Sequence, residues 1–225
     1  MTAFVGLGKL AQSVLSAMPQ HQEVYVFSRT KERVTEVGKE DSRIKWLAPE
    51  QFRTHKSVWL FLPKNEVVPF IKKYKEYFHP KTCFYVTATA LMKRDVENHV
   101  PKQSHVVPCK FITQADQLKK DSKGFVVVDS PHERDHRDVS DVLGNQFTVV
   151  RGNEKHVLDV NKAATKVAIE AVVRLEKQLK DQGVDSQYIE QGARQIIPGV
   201  IGAYLDGELG GFGKQVIKEI EDNET

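Results

Sequence analysis

The sequence has no apolar run approaching the ~20 residues that a bilayer-spanning helix requires. Its two cysteines, Cys83 and Cys109, give neither zinc-ligand spacing nor a disulfide framework, so a reducing cytoplasm is the expected compartment. Neither sign of charge dominates, because 33 Lys and Arg stand against 30 well-mixed Asp and Glu. Nucleic-acid binding needs a basic face with aromatic or groove-reading elements. The short runs Lys72-Lys73 and Lys119-Lys120 read instead as solvated faces, so no nucleic-acid partner is expected. Internal repeats and low-complexity tracts are missing too, and with the first strand starting almost at Met1 no cleavable signal is expected. What remains is a globular composition, 40% hydrophobic and 28% charged, with room in 225 residues for a nucleotide-binding domain and a small partner.

The most informative stretch is Thr2-Ala3-Phe4-Val5-Gly6-Leu7-Gly8-Lys9-Leu10-Ala11. A buried strand runs into a glycine turn and then into a helix, which is the setting of the dinucleotide fingerprint. Gly6 would let the chain turn sharply, Gly8 would let the backbone approach a pyrophosphate, and Ala11 would let the helix pack close to the strand. The first-turn amides, with Gly6, Leu7, Gly8, Lys9 and Leu10 around them, would hold the phosphates. The alternative is a glycine turn with no ligand.

After a helix over 9–18, ended by Pro19, the run Glu23-Val24-Tyr25-Val26-Phe27 reads as a second strand of a parallel sheet. Its tip carries Ser28-Arg29-Thr30 and no acid to accept from an adenosine ribose. A guanidinium and two hydroxyls suit a 2′-phosphate, so NADP is preferred over NAD. The same residues also suit an ordinary helix start, with Ser28 or Thr30 capping 31–38. Further strands are expected at 44–46, 57–62, 82–86, 104–107, 124–128 and 146–150, with helices at 65–77, 92–99 and 132–143 and Gly144 as a C-cap. Leu62-Pro63 and Thr87-Ala88, at the tips of two of these strands, would flank the nicotinamide ribose. Cys109 and Lys110 fall near the sheet's carboxyl edge, where Cys109 reads as a buried, inert thiol and Lys110 as a surface lysine, the alternative being a reactive thiol or ammonium.

These alternations predict an α/β fold, a doubly wound Rossmann-type sheet of about eight strands over 1–152, followed by a small all-helical region over 153–225. From Glu154 onward Val157, Val160, Ala164, Val167, Ala168, Ala171, Val172, Leu175 and Leu179 recur at helical spacing, predicting one long helix to about Gly183. A second is expected over 186–205, kinked at Pro198. Two such helices cannot close a core alone, so a homodimer through them is expected. Two motifs point elsewhere. His132-Glu133-Arg134-Asp135-His136 fits HExxH, but its charged interior reads as a solvent-facing surface helix and no metal is expected. Gly210, Gly211 and Gly213 before Lys214 are out of frame for a P-loop.

With these residues placed, the chain resembles the pyrroline-5-carboxylate reductase family. The likeness lies in Phe4-Val5-Gly6-Leu7-Gly8-Lys9-Leu10-Ala11, in Val26-Phe27-Ser28-Arg29-Thr30, in the strand–helix–strand unit 126–150 and in the run 166–202 with Ile169-Glu170-Ala171 and Gln182-Gly183-Val184. The resemblance implies an NADP-preferring oxidoreductase of proline biosynthesis that delivers hydride to a cyclic imino acid, with an interlocked helical dimer. The family's Ser-Gly-Ser-Gly-Pro segment is replaced by Asn161-Lys162-Ala163-Ala164-Thr165, and its Pro-Gly-Gly-Thr-Thr loop is only echoed by Gly210-Gly211-Phe212-Gly213. The expectation is therefore hydride transfer to a small imino or keto acid, bound near Pro108 and a helix opening at Asn161, with no catalytic acid identified. The alternative is a non-catalytic NADP-binding sensor or scaffold that has lost its substrate loops.

Overall fold

Short apolar runs alternate with amphipathic helices, and the chain folds accordingly. The structure is a computed structural model and describes residues Met1–Glu224. Eight strands form one sheet: β1 (Thr2–Val5), β2 (Val24–Phe27), β3 (Ile44–Trp46), β4 (Ser57–Leu60), β5 (Cys83–Val86), β6 (His105–Phe111), β7 (Gly124–Val128) and β8 (Phe147–Arg151). Their order is β3-β2-β1-β4-β5-β6-β7-β8, every neighbouring pair parallel except β6 with β7. The order reverses at β1, which pairs with β2 on one side and β4 on the other.

The side-chain period of two along each strand divides the core between two faces. Phe4, Trp59, Tyr85, Val107 and Cys109 bury one face against helix α1 (Lys9–Ala17), whose Val14 and Leu15 join the same cluster. Ala3, Val5, Val58, Leu60, Phe84 and Val86 bury the other against α3 (Lys64–Tyr74), through Val67, Phe70 and Ile71. Helices on both faces of a mostly parallel sheet are the doubly wound architecture that the sequence predicts. The other helices beside the sheet are α2 (Lys31–Glu40), α4 (Ala115–Asp121) and α5 (Glu133–Leu143), and α6 (Glu154–Asp181) follows the last strand. Gly144 ends α5 at φ 76°, as its place after Leu143 requires.

Several expectations need correction. The helix expected over 92–99 is only a 3-10 turn, Lys93–Asp95, because Met92 and Asp95 close it locally. α4 was not anticipated; Gln114 caps it by accepting from the Gln117 amide, and its apolar contribution to the core is Leu118 alone, too weak a pattern to read. Thr30 stands at the N-cap of α2 but makes no capping bond through its side chain. The helix expected over 186–205 is interrupted. α7 (Ser186–Gln191) passes into a π-helical turn, Gly192–Ile196, and then α8 (Ile197–Leu205), where Pro198 occupies the first turn that tolerates it. A final helix, α9 (Gly211–Glu224), covers the glycine-rich stretch that resembled a P-loop only in composition.

One buried cation fastens the edge of the sheet. Arg43, 8% exposed, donates to both carboxylate oxygens of Asp41 and to the carbonyls of Leu15, Met18 and Pro19. It thus satisfies the orphan carbonyls at the end of α1 while pinning the turn before β3. Its hydrogen bonds hold the Asp41 carboxyl below the usual range. Arg43→Met leaves three carbonyls and a carboxylate without their donor, and urea unfolding should show a loss of about 3 kcal/mol. An unchanged midpoint would mean that water replaces the guanidinium at no cost.

The chain divides into two compact units, Met1–Lys162 and a second beginning at Ala163, so the division falls inside α6. The start of α6 belongs with the sheet, where Glu154 and Val157 are buried and Asn161 Nδ2 donates to the Phe111 carbonyl. Within the second unit, Gly183 (φ 74°) closes α6, and Asp185 caps α7 by accepting from the Gln187 amide. No helix among the described residues is long and apolar enough to cross a membrane.

Candidate functional site

The tips of β1, β2 and β4 surround a cleft of about 480 Å³, at the point where the strand order reverses. Open α/β sheets bind ligands at this place. Gly6 makes its floor. It sits at φ 95° and donates its amide to the Phe27 carbonyl, and a Cβ there would lie 2.3 Å from the Phe61 carbonyl oxygen. Gly8 is different, since its φ of −76° is ordinary and a Cβ on it would meet nothing within 4 Å. The first glycine is a requirement of the fold. The second keeps space open at the N-terminus of α1, whose first-turn amides have no intrahelical acceptors. That combination suits a phosphate, and the residues present fit a dinucleotide diphosphate.

Leu7 is buried beneath the turn, Leu10 is half-buried, and the Lys9 side chain points outward to Asp116 at 3.4 Å. Of the turn, Gly6, Leu7 and Gly8 line the cleft, whereas Lys9 and Leu10 do not. Ser28 and Arg29 line the cleft beyond β2, whereas Thr30 does not. The Arg29 guanidinium is 83% exposed and lies 3.5 Å from Glu66, a contact that a competing anion can displace. The sequence reading missed Arg33 and Lys73, which line the same cleft from α2 and α3 and raise its positive charge. Both lie on exposed helix faces, where a basic residue carries no distinguishing signal. Leu62 and Pro63 form the wall beyond β4.

Thr87 and Ala88 follow β5 and do not line the cleft. The Thr87 hydroxyl donates to the Leu60 carbonyl at 2.8 Å and so stitches β5 to β4. Ala88 is held from below by a residue that the sequence reading placed on the surface. Lys110 is fully buried, and its ammonium donates to the carbonyls of Ala88 (2.8 Å) and Leu91 (2.7 Å), with Glu154 Oε2 at 3.6 Å. Strand alternation explains this, because Lys110 shares the face of Val106, beyond the tip of β5. Burial lowers the Lys110 ammonium to about 8 and raises the Glu154 carboxyl. Glu154 also accepts from the Lys93 amide, and its own amide donates to Asp129. The network fixes the segment after β5 against the end of β6 and the start of α6. Cys109, on the opposite face, is buried as expected, and burial pushes its thiol up.

The helix with the HExxH pattern also departs from expectation. His132 and Glu133 are exposed, but Asp135 is buried and bound by the Ser130 hydroxyl. His136 turns its Nε2 to the Ser130 carbonyl and Arg151, so the two histidines do not converge. Asn161 lies inside α6, well past its start at Glu154. The helix opening expected there is absent, since the helix is already about two turns along and its interior amides are spent within it.

No model of a protein family matches the sequence, and no curated protein matches it. Solved structures do match. A pyrroline-5-carboxylate reductase from Coxiella burnetii superposes with a TM-score of 0.72 at 13% identity, over 99% of this chain and 90% of that one. The pyrroline carboxylate reductase of Plasmodium falciparum, solved with NADP bound, gives 0.62 at 14% identity over 99% and 90%. The imine reductase of Streptomyces aurantiacus gives 0.62 at 14% over 93% and 80%. At such identities the likeness is one of fold, and activity must be argued from the site. The chain has the fold of the pyrroline-5-carboxylate reductases and their imine-reducing structural neighbours.

Proposed function

We propose that this chain is an NADP-dependent oxidoreductase that transfers hydride to a small imino or keto acid, in the manner of a pyrroline-5-carboxylate reductase. The observation that carries the reading is the empty space above Gly8 at the sheet's reversal point, beside a β2 tip that bears Arg29 and no carboxylate. NADPH supplies the hydride, and the chain's own residues bind and orient it. Amides of the turn that begins at Gly6 hold the diphosphate, and Ser28 and Arg29, with Arg33, hold the 2′-phosphate. Leu62 and Pro63, which line the cleft, flank the nicotinamide ribose. Pure protein mixed with NADPH and pyrroline-5-carboxylate should consume the nicotinamide absorbance.

Arg29→Ala should weaken NADPH by about tenfold and leave NADH unchanged, a difference worth about 1.4 kcal/mol. Equal losses in a fluorescence titration of the two nucleotides would reject the 2′-phosphate assignment.

A second reading is a non-catalytic NADP-binding sensor. It is favoured by the position of Asn161 within α6, which removes the expected substrate-holding helix start. NADPH binding without turnover on imino or keto acids would select it.

The proposed arrangement is a cytoplasmic homodimer, with 1–152 holding the nucleotide and 153–225 the partner subunit. It is supported by an apolar groove of about 720 Å³ in the second unit. Ile201, Tyr204, Leu205 and Phe212 are at least half exposed around that groove. Exposed apolar clusters of this kind mark association surfaces. Sedimentation should give twice the chain mass, and the double variant Leu205→Glu/Phe212→Glu should sediment as a monomer. A monomeric wild type at micromolar concentration would end the dimer reading.

A further inference from the structure

At the amino edge of the sheet, opposite the cleft, three potential metal ligands from three elements come together. β5 and β6 are parallel, and their register pairs Cys83 with His105, so the two side chains stand side by side on one face. Asp135, from the first turn of α5, closes on them from above. The Cys83 sulfur, a His105 ring nitrogen and an Asp135 oxygen all lie within 4.8 Å of one another. His105 Nε2 is 3.5 Å from Asp135 Oδ1. Tetrahedral zinc, with bonds of about 2.0–2.3 Å, sets its ligands roughly 3.3–3.6 Å apart. The histidine and the carboxylate already have that spacing. His105 is 53% exposed, so its ring can move the remaining distance towards the sulfur.

From this convergence we infer that Cys83, His105 and Asp135 form a binding site for a zinc-type divalent cation, with the fourth position open to water. The ligand set mixes a thiolate, an imidazole and a carboxylate, a combination that borderline-soft zinc accepts. Asp135 has a supporting partner, because the Ser130 hydroxyl donates to its other oxygen and accepts from the His132 amide. Such contacts orient ligands and are part of a metal site's construction. The charge balance also calls for a cation. Asp135 is buried, and its nearest cationic partner is a histidine that is charged only when protonated. On binding, the thiol releases its proton to solvent, the sulfur–metal bond forms, and no electrons are exchanged.

The site lies far along the strands from the nucleotide cleft, so the ion would cross-link β5, β6 and α5 rather than take part in hydride transfer. The inference does not depend on the proposed reductase activity. It is tested on the full-length chain, stripped of metal and titrated with Co²⁺. One equivalent should produce a thiolate-to-cobalt charge-transfer band that Zn²⁺ then abolishes. Cys83→Ser should remove the band, and His105→Ala should weaken Zn²⁺ at least tenfold in competition with a chelating dye. His132→Ala, on the exposed turn nearby, should leave both unchanged. His105 is half exposed, so its variant remains decisive even if Cys83→Ser does not fold. Binding without the charge-transfer band, or equal Zn²⁺ affinity in the wild type and His105→Ala, would overturn the assignment and leave only adventitious surface binding.

Discussion

Gly6→Ala should unfold at markedly lower urea, with a loss of about 3 kcal/mol or more, whereas Gly8→Asp should unfold like the wild type. The added methyl at Gly6 meets the Phe61 carbonyl oxygen at 2.3 Å, and the residue is at φ 95°. A backbone oxygen at the end of a strand cannot swing aside as a side chain can, and the positive φ alone costs an L-residue about 1–3 kcal/mol. β1 and β4 would have to separate, and they are neighbouring interior strands at the point where the strand order reverses. Gly8 has an ordinary φ and open space where its side chain would stand, so stability should change by less than about 0.5 kcal/mol. Binding should respond in the opposite way. A carboxylate in the space proposed for the diphosphate opposes it sterically and electrostatically, and NADPH should weaken by roughly a hundredfold or more, about 2.7 kcal/mol. Gly8→Asp with wild-type NADPH affinity would remove the nucleotide from this cleft. Wild-type stability in Gly6→Ala would mean that the turn is built differently.

Lys110→Met should cost about 3 kcal/mol at pH 7, and the cost should grow with pH. The substitution leaves the Glu154 carboxylate and the carbonyls of Ala88 and Leu91 without their donor. Removing one partner of a buried pair is expensive because the other charge stays behind. Adding Glu154→Gln should therefore recover about 1 kcal/mol or more, a coupling that independent sites would not show. The pH dependence follows from desolvation, which lowers the ammonium from 10.5 to about 8 in the folded chain. Between about pH 8 and about 10.4 the unfolded chain holds a proton that the folded chain has released. Folding is then favoured by rising pH, by at most about 1.4 kcal/mol per unit. This contribution is complete above the unfolded value and lost as pH falls through the folded one. The buried thiols act in the other direction, because burial raises Cys83 to about 12 and Cys109 further still. The unfolded chain loses those protons from about 8.5, so wild-type stability alone mixes opposing slopes. The difference between wild type and Lys110→Met isolates the lysine. A difference that stays constant from pH 7.5 to 9.5 would show that Lys110 titrates like a surface residue.

Much of the fold was legible because local patterns and tertiary packing agree. Short β-branched and aromatic runs bounded by Gly and Pro gave the strands, and three- and four-residue spacing gave α6 almost to its ends. The Gly6–Gly8 turn was legible because the backbone itself imposes the need for glycine. The same local reading failed where a partner distant in sequence decides the outcome. Nothing around Lys110 marks it as buried, since its acceptors lie on Ala88 and Leu91 and its countercharge is Glu154. Arg43 reads as one more basic residue until the end of α1 folds over it.

By itself the sequence determined the order of the strands, the strand–turn–helix at Gly6 and the long helix from Glu154, because these rest on periodicity and on backbone angles within a few residues. Only the tertiary structure decided which polar groups meet. Parallel register sets Cys83 beside His105 although 22 positions separate them, and the antiparallel turn of β7 brings Asp135 back to the same edge. Side-chain chemistry of that kind depends on distances across the sheet, and hydrophobic patterning fixes which face a residue occupies without saying what stands opposite it.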